Sequence, residues 1–88
     1  MFAVCKDREE AVNIDNAEIL CVKYGGDGYC INILSFDGHL KCTLGKYSTE
    51  KEAVFALNCL LTAIASGDRI HCMLDENTTH SASLEEEI

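Results

Sequence analysis

EILCVKYGGDGYCINILSFDGHLKCTLGK, residues 18–46, alternates apolar and polar side chains around two glycine-rich breaks. Glu18 to Tyr24 and Tyr29 to Leu34 read as strands. A tight turn centred on Gly26-Asp27 sets Tyr24 opposite Tyr29, Val22 opposite Ile31 and Leu20 opposite Ile33, and period-two alternation puts all six on one face. Asp37-Gly38 is a type I′ hairpin signal. A second turn centred there sets Ile33 opposite Cys42, Ile31 opposite Leu44 and Ser35 opposite Leu40. Turn chemistry and apolar pattern agree on an antiparallel three-stranded meander.

One helix follows the meander. Ser48 or Thr49 caps it, and Thr49-x-x-Glu52 has capping-box spacing. Val54, Leu57, Leu61 and Ile64 recur at helical spacing, with Ala53 and Leu60 widening the stripe. Ser66-Gly67 is the stop signal. Phe2 to Cys5 and Ala11 to Ile14 flank a charged turn and form a small first hairpin, while Ile70 to Leu74 reads as a last edge strand. The expected fold is α+β: a meander of three core strands plus short flanking strands, with one amphipathic helix on one face. The expected organisation is a single domain over 1–74 and an acidic, flexible tail over 75–88.

The same register leaves a second sheet face carrying Ile19, Cys21, Lys23, Cys30, Asn32, Leu34, Phe36, Lys41 and Thr43. It is too apolar for full solvation and too polar for a sealed core, and one helix cannot cover two faces. A chain of 88 residues is also small enough to gain from self-association. A two-fold homodimer is therefore expected, built on Ile19, Leu34 and Phe36 of this face or on a meander edge.

Fifteen acidic against seven basic residues give a net charge of −8. Such a field repels phosphate backbones and anionic lipid, so direct nucleic-acid or membrane binding is not expected, and a basic protein partner is. No apolar run reaches membrane-spanning length. Met1 to Asp7 lacks the pattern of a signal peptide, so the expected location is cytoplasmic. There the six cysteines, at 5, 21, 30, 42, 59 and 72, are expected as reduced, buried thiols. They form no Cys-x-x-Cys pair of the structural-zinc kind. No metal and no cofactor is expected.

Catalytic groups are sparse. Nucleophilic catalysis needs a Ser, Cys or Thr beside an oriented base. His39 follows a turn, His80 lies in the tail, and His71 and Cys72 are strand neighbours pointing to opposite faces. Gly25-Gly26-Asp27-Gly28 lacks the lysine of a phosphate-binding loop and joins two strands. No enzyme is expected.

The order of segments resembles a known group. Met1-x-Ala3-Val4-x-Lys6-Asp7 leads to Ala11-Val12-Asn13-Ile14-Asp15-Asn16, and Leu44-Gly45-Lys46-Tyr47-Ser48-Thr49-Glu50 runs into the helix. This is similar to small uncharacterised proteins of Gram-positive bacteria and their phages, which open with a "VSKDG…VNLDN" segment and carry "LGEYSSEE" before one helix. The resemblance covers residues 1–66 and implies a fold and a phage or bacterial setting, with no site residues. Arg8-Glu9 departs from it, standing where a glycine turn is usual, as does the extra tail.

The expected function is that of a non-enzymatic acidic binding or regulatory protein, encoded by a phage or mobile element. It would act on a basic host protein surface, in counter-defence or regulator inhibition. Asp7, Glu9, Glu10, Asp27 and Asp37, all on turns, are the expected partner-binding residues. One alternative is an oligomer binding a nucleotide, with Tyr24 and Tyr29 stacking on the base and Lys23 meeting the phosphate. Another is a zinc- or thiol-dependent module.

Overall fold

The structure is a computed structural model and describes residues 1–75. β3 (Ile19–Gly25), β4 (Gly28–Leu34) and β5 (Leu40–Tyr47) form the antiparallel meander in that order. Tyr24 faces Tyr29, Val22 faces Ile31 and Leu20 faces Ile33. Gly26 has φ 63° and Asp27 is not left-handed, as a two-residue loop with glycine at its first central position requires.

The second hairpin departs from the expected register. The Gly38 N–H donates to the Ser35 carbonyl at 2.8 Å, the Ser35 N–H donates to the His39 carbonyl at 2.8 Å, and Gly38 has φ 91°. This is a three-residue loop closed by a left-handed glycine, not a type I′ turn. Leu34 therefore faces Leu40, where Ser35 was expected to. Lys41 bulges to restore Ile33 opposite Cys42, and Leu44 is a second extra residue, leaving Ile31 opposite Gly45. Leu44, at 0% exposure, stays on the core face, while the second bulge turns Tyr47 onto that face and Lys46, opposite Cys30, onto the other.

β1 (Phe2–Val4) pairs antiparallel with β2 (Ala11–Asn13) and parallel with β6 (Ile70–Cys72), forming a second small sheet. It joins the meander at the β5 bulge, where the Lys6 N–H donates to the Leu44 carbonyl at 2.8 Å. A Cβ on Gly45 would stand 3.0 Å from that of Lys6, so the approach depends on glycine. In the β1–β2 turn Arg8 holds φ 65°, the conformation a glycine would take freely. Its guanidinium donates to the Met73 carbonyl at 2.7 Å and lies 3.8 Å from Asp75. Asp75, expected in the tail, thus belongs to the folded part; the rest of that tail, with His80, lies outside the described residues.

α1 (Glu50–Ala65) starts at Thr49, whose hydroxyl accepts the Glu52 N–H at 3.1 Å. It ends where Gly67, φ 77°, lets the Asp68 N–H reach the Ala63 carbonyl at 3.1 Å. The buried stripe is Ala53, Ala56, Leu60 and Ala63. Val54, Leu61 and Ile64 are 41–45% exposed and Leu57 is half-buried, so the helix is turned away from its expected stripe. Small residues let it lie close to the sheet, and the larger side chains go to one flank. One core joins Ile31, Ile33, Leu44, Tyr47, Leu60, Ala3, Cys5, Ile14 and Met73. The helix and the small sheet therefore pack on the same face of the meander.

Candidate protein-binding face

That shared packing leaves the second face of the meander uncovered among the described residues. Ile19 faces Leu34, Cys21 faces Asn32 and Lys23 faces Cys30 across β3 and β4. None of the six belongs to the core cluster, although Cys21, Cys30, Asn32 and Leu34 are half-buried by their neighbours. The Thr43 hydroxyl donates to Asn32 Oδ1 at 2.8 Å, tying β5 to β4 across this face. Lys41 sits on a bulge, 3.5 Å from Glu18. Phe36, at the tip of the second hairpin, is 86% exposed.

The expected acidic residues fall into two groups. Asp27 and Asp37 stand at opposite ends of β4, and Glu18 beside Ile19, so Glu18 and Asp37 border the apolar end of the open face, at Ile19 and Leu34, and Asp27 borders its other end. Hydrogen bonding to Lys46 holds the Asp27 carboxyl below its ordinary range. Ser35 and then His39 do the same for Asp37. Both are charged at neutral pH. Asp7, Glu9 and Glu10 lie instead on the β1–β2 turn beyond β5. Asp7 accepts the Glu9 N–H at 2.9 Å. Asp7 and Glu10 line a groove of about 500 Å³ with Cys5, Lys6, Leu44 and Lys46. The five acids therefore do not form one patch.

Tyr24 and Tyr29 meet edge-to-face with centroids 5.0 Å apart on the helix side. Lys23 precedes Tyr24 on the strand and points to the open face. The structure does not bring the lysine and the two rings together.

The thiols and histidines show what the chain can do chemically. Cys5 is buried, Cys72 is exposed, and the other four are intermediate, so burial is less complete than expected. Burial raises the Cys5 thiol to about 11, with the neighbouring Cys42 and Glu10 adding to the effect. Burial also raises Cys42 and Cys59. These three remain protonated thiols at neutral pH, poor nucleophiles and poor ligands. Among the described residues no three Cys, His, Asp or Glu side chains gather as a metal site. His39 is exposed, 2.9 Å from Asp37. His71, opposite Ala3, has a buried Nε2 without a hydrogen-bond partner, and burial lowers its pKa. Among the described residues no helix is long and apolar enough to cross a membrane.

The uncovered face was legible in the alternation of residues 18–46. The exposed flank of α1 was not, because its residues carried the strongest helical periodicity and read as core. Comparison with protein families, with curated proteins and with solved structures returned no match for this chain.

Proposed function

We propose that this protein is a non-enzymatic binding protein whose open meander face meets a basic protein surface. One observation carries the reading: both covering elements pack on one side of the meander, leaving an open face with an apolar end at Ile19 and Leu34 and acidic groups at both ends, on a chain of charge −8. Leu34, Ile19 and Phe36 supply apolar contact; Asp27, Asp37 and Glu18 meet cations at the rim. Lys23 and Lys46 flank Cys30 toward the Asp27 end of this face, and with Lys46 paired to Asp27, Lys23 selects a partner offering an acceptor opposite it. Asp7, Glu9 and Glu10 form a second acidic surface on the small sheet. The resemblance to proteins of Gram-positive bacteria and their phages supports a setting in which such a protein blocks or tunes a host defence or regulatory factor.

Affinity capture with paired baits tests this. Wild-type protein and Leu34→Glu are immobilised and exposed to the same Gram-positive lysate at low salt. A basic protein retained by wild type and lost with Leu34→Glu is the expected result. Equal retention by both baits, or retention of nothing, overturns the reading.

A further inference from the structure

We infer that two copies of this chain pair through the free edge of β3, forming a six-stranded sheet about a two-fold axis at Val22. β3 is an edge strand, and among the described residues nothing pairs with its outer side. The two-residue loop fixes which groups face outward. Residues flanking such a loop, Gly25 and Gly28, exchange hydrogen bonds, so Lys23, Cys21 and Ile19 also bond inward to β4. The N–H and C=O groups of Leu20, Val22 and Tyr24 therefore point away from the sheet.

These three residues complement themselves. Antiparallel pairing about Val22 sets Val22 opposite Val22, Leu20 opposite Tyr24 and Tyr24 opposite Leu20, and each pair exchanges two hydrogen bonds. On the helix side every facing pair is apolar or aromatic. On the other side Cys21 meets Lys23 and Ile19 meets Gly25, so no like charges are opposed. No proline and no bulge blocks the edge, and Lys23 is its one charged side chain.

The helix supplies the rest of the contact. Val54, Leu57, Leu61 and Ile64 follow a three-four-three spacing, the pattern of a helix–helix seam. Seen from the helix side with β3 running upward, the outward groups of Leu20, Val22 and Tyr24 lie on the right and β4 and β5 on the left. α1 leaves the upper end of β5 and packs on β3 and β4. A right-handed helix descending there, with Ala53, Ala56, Leu60 and Ala63 down, turns its exposed row toward the free edge of β3. Strands about 4.8 Å apart place two such helices roughly 10 Å from each other across the axis, a normal packing distance. A strand edge alone falls short of the roughly 800 Å² per partner of a specific interface; the two rows extend it. The open face is untouched and doubles in width.

Light scattering and amide hydrogen exchange test the pairing. Wild type is expected to be a dimer that tightens with added salt, because two acidic chains repel. In the dimer the amides of Leu20, Val22 and Tyr24 are protected along with those of Cys21 and Lys23, by at least about tenfold over an unpaired edge. Tyr24→Pro removes an outward donor without touching the β3–β4 ladder and should give a folded monomer. Leu61→Glu, on the exposed row, should weaken dimerisation by at least about tenfold. Leu34→Glu, on the open face, should leave the dimer intact, which separates this pairing from partner capture. A wild-type monomer at every concentration overturns the inference. So does a dimer in which only Cys21 and Lys23 are protected, or one that Leu34→Glu dissociates while Tyr24→Pro and Leu61→Glu do not.

Discussion

Leu60 and Leu61 are chain neighbours with opposite surroundings, and truncating each separates the observed orientation of α1 from the one its periodicity suggests. Leu60 is fully buried, whereas Leu61 is 45% exposed. Leu60→Ala removes three carbons from a site walled by helix and sheet, adding a cavity to the lost burial, and should cost about 3–4 kcal/mol. Leu61→Ala leaves no closed cavity and forfeits only partial burial, so about 1 kcal/mol is expected. Total stability for a domain of this size is on the order of 5 kcal/mol. Leu60→Ala therefore removes most of it, and Leu61→Ala little. Urea unfolding followed by circular dichroism at low protein concentration measures both. A Leu61→Ala loss equal to or larger than that of Leu60→Ala would mean the helix presents its other stripe to the sheet. Raising the protein concentration should enlarge the Leu61→Ala loss alone, because the dimer buries that row.

The other expectations are local. A Cβ on Gly28 would stand 2.8 Å from the Tyr47 carbonyl oxygen, while one on Gly25 meets nothing within 4 Å. Gly28→Ala should thus cost about 1–3 kcal/mol by overpacking, with Gly25→Ala near neutral in the same denaturation assay. Arg8→Ala and Arg8→Gly both lose the bond to Met73, but only glycine relaxes the left-handed backbone; the glycine variant should be more stable by about 1 kcal/mol, and a more stable alanine variant would refute the strain. His71 has a lowered pKa in the folded state, so the unfolded chain takes up the proton more readily. Its contribution is complete above its ordinary value and is lost as pH falls through the folded value. Thermal melts should fall more between neutral and mildly acidic pH for wild type than for His71→Leu; equal slopes would contradict this. Alkylation of native protein, read by peptide mass spectrometry, should label Cys72 first and spare Cys5, Cys42 and Cys59; early labelling of Cys5 would contradict its burial.

The sequence made the meander legible because two turns and an apolar alternation had to agree, and for β3 with β4 they did. They failed together on β5. Asp37-Gly38 suits two kinds of hairpin loop, with the Lys41 bulge absorbing the difference, and the second bulge, at Leu44, depends on whether Tyr47 gains a core position. A bulge is a tertiary decision of that kind. The helix failed differently: Ala53, Ala56 and Ala63 carry a weak hydrophobic signal, and close approach to a sheet selects them for being small. The open face was visible before the structure, since alternation alone assigns Ile19 and Leu34 to it. That Asp7, Glu9 and Glu10 stand apart from Asp27 and Asp37 was not, because the docking of the small sheet along β5 leaves no local trace in the chain.

Binding of a partner at the uncovered meander face is the core of the proposed function. Its most direct test is to footprint the surface of wild-type protein by carbene labelling, free and in complex with whatever basic protein the wild-type bait captures and the Leu34→Glu bait does not. Labelling at Ile19, Leu34 and Phe36 is expected to fall in the complex while Phe55, on the solvent side of α1, is labelled as before. Unchanged labelling at Ile19, Leu34 and Phe36, with loss elsewhere, would contradict it.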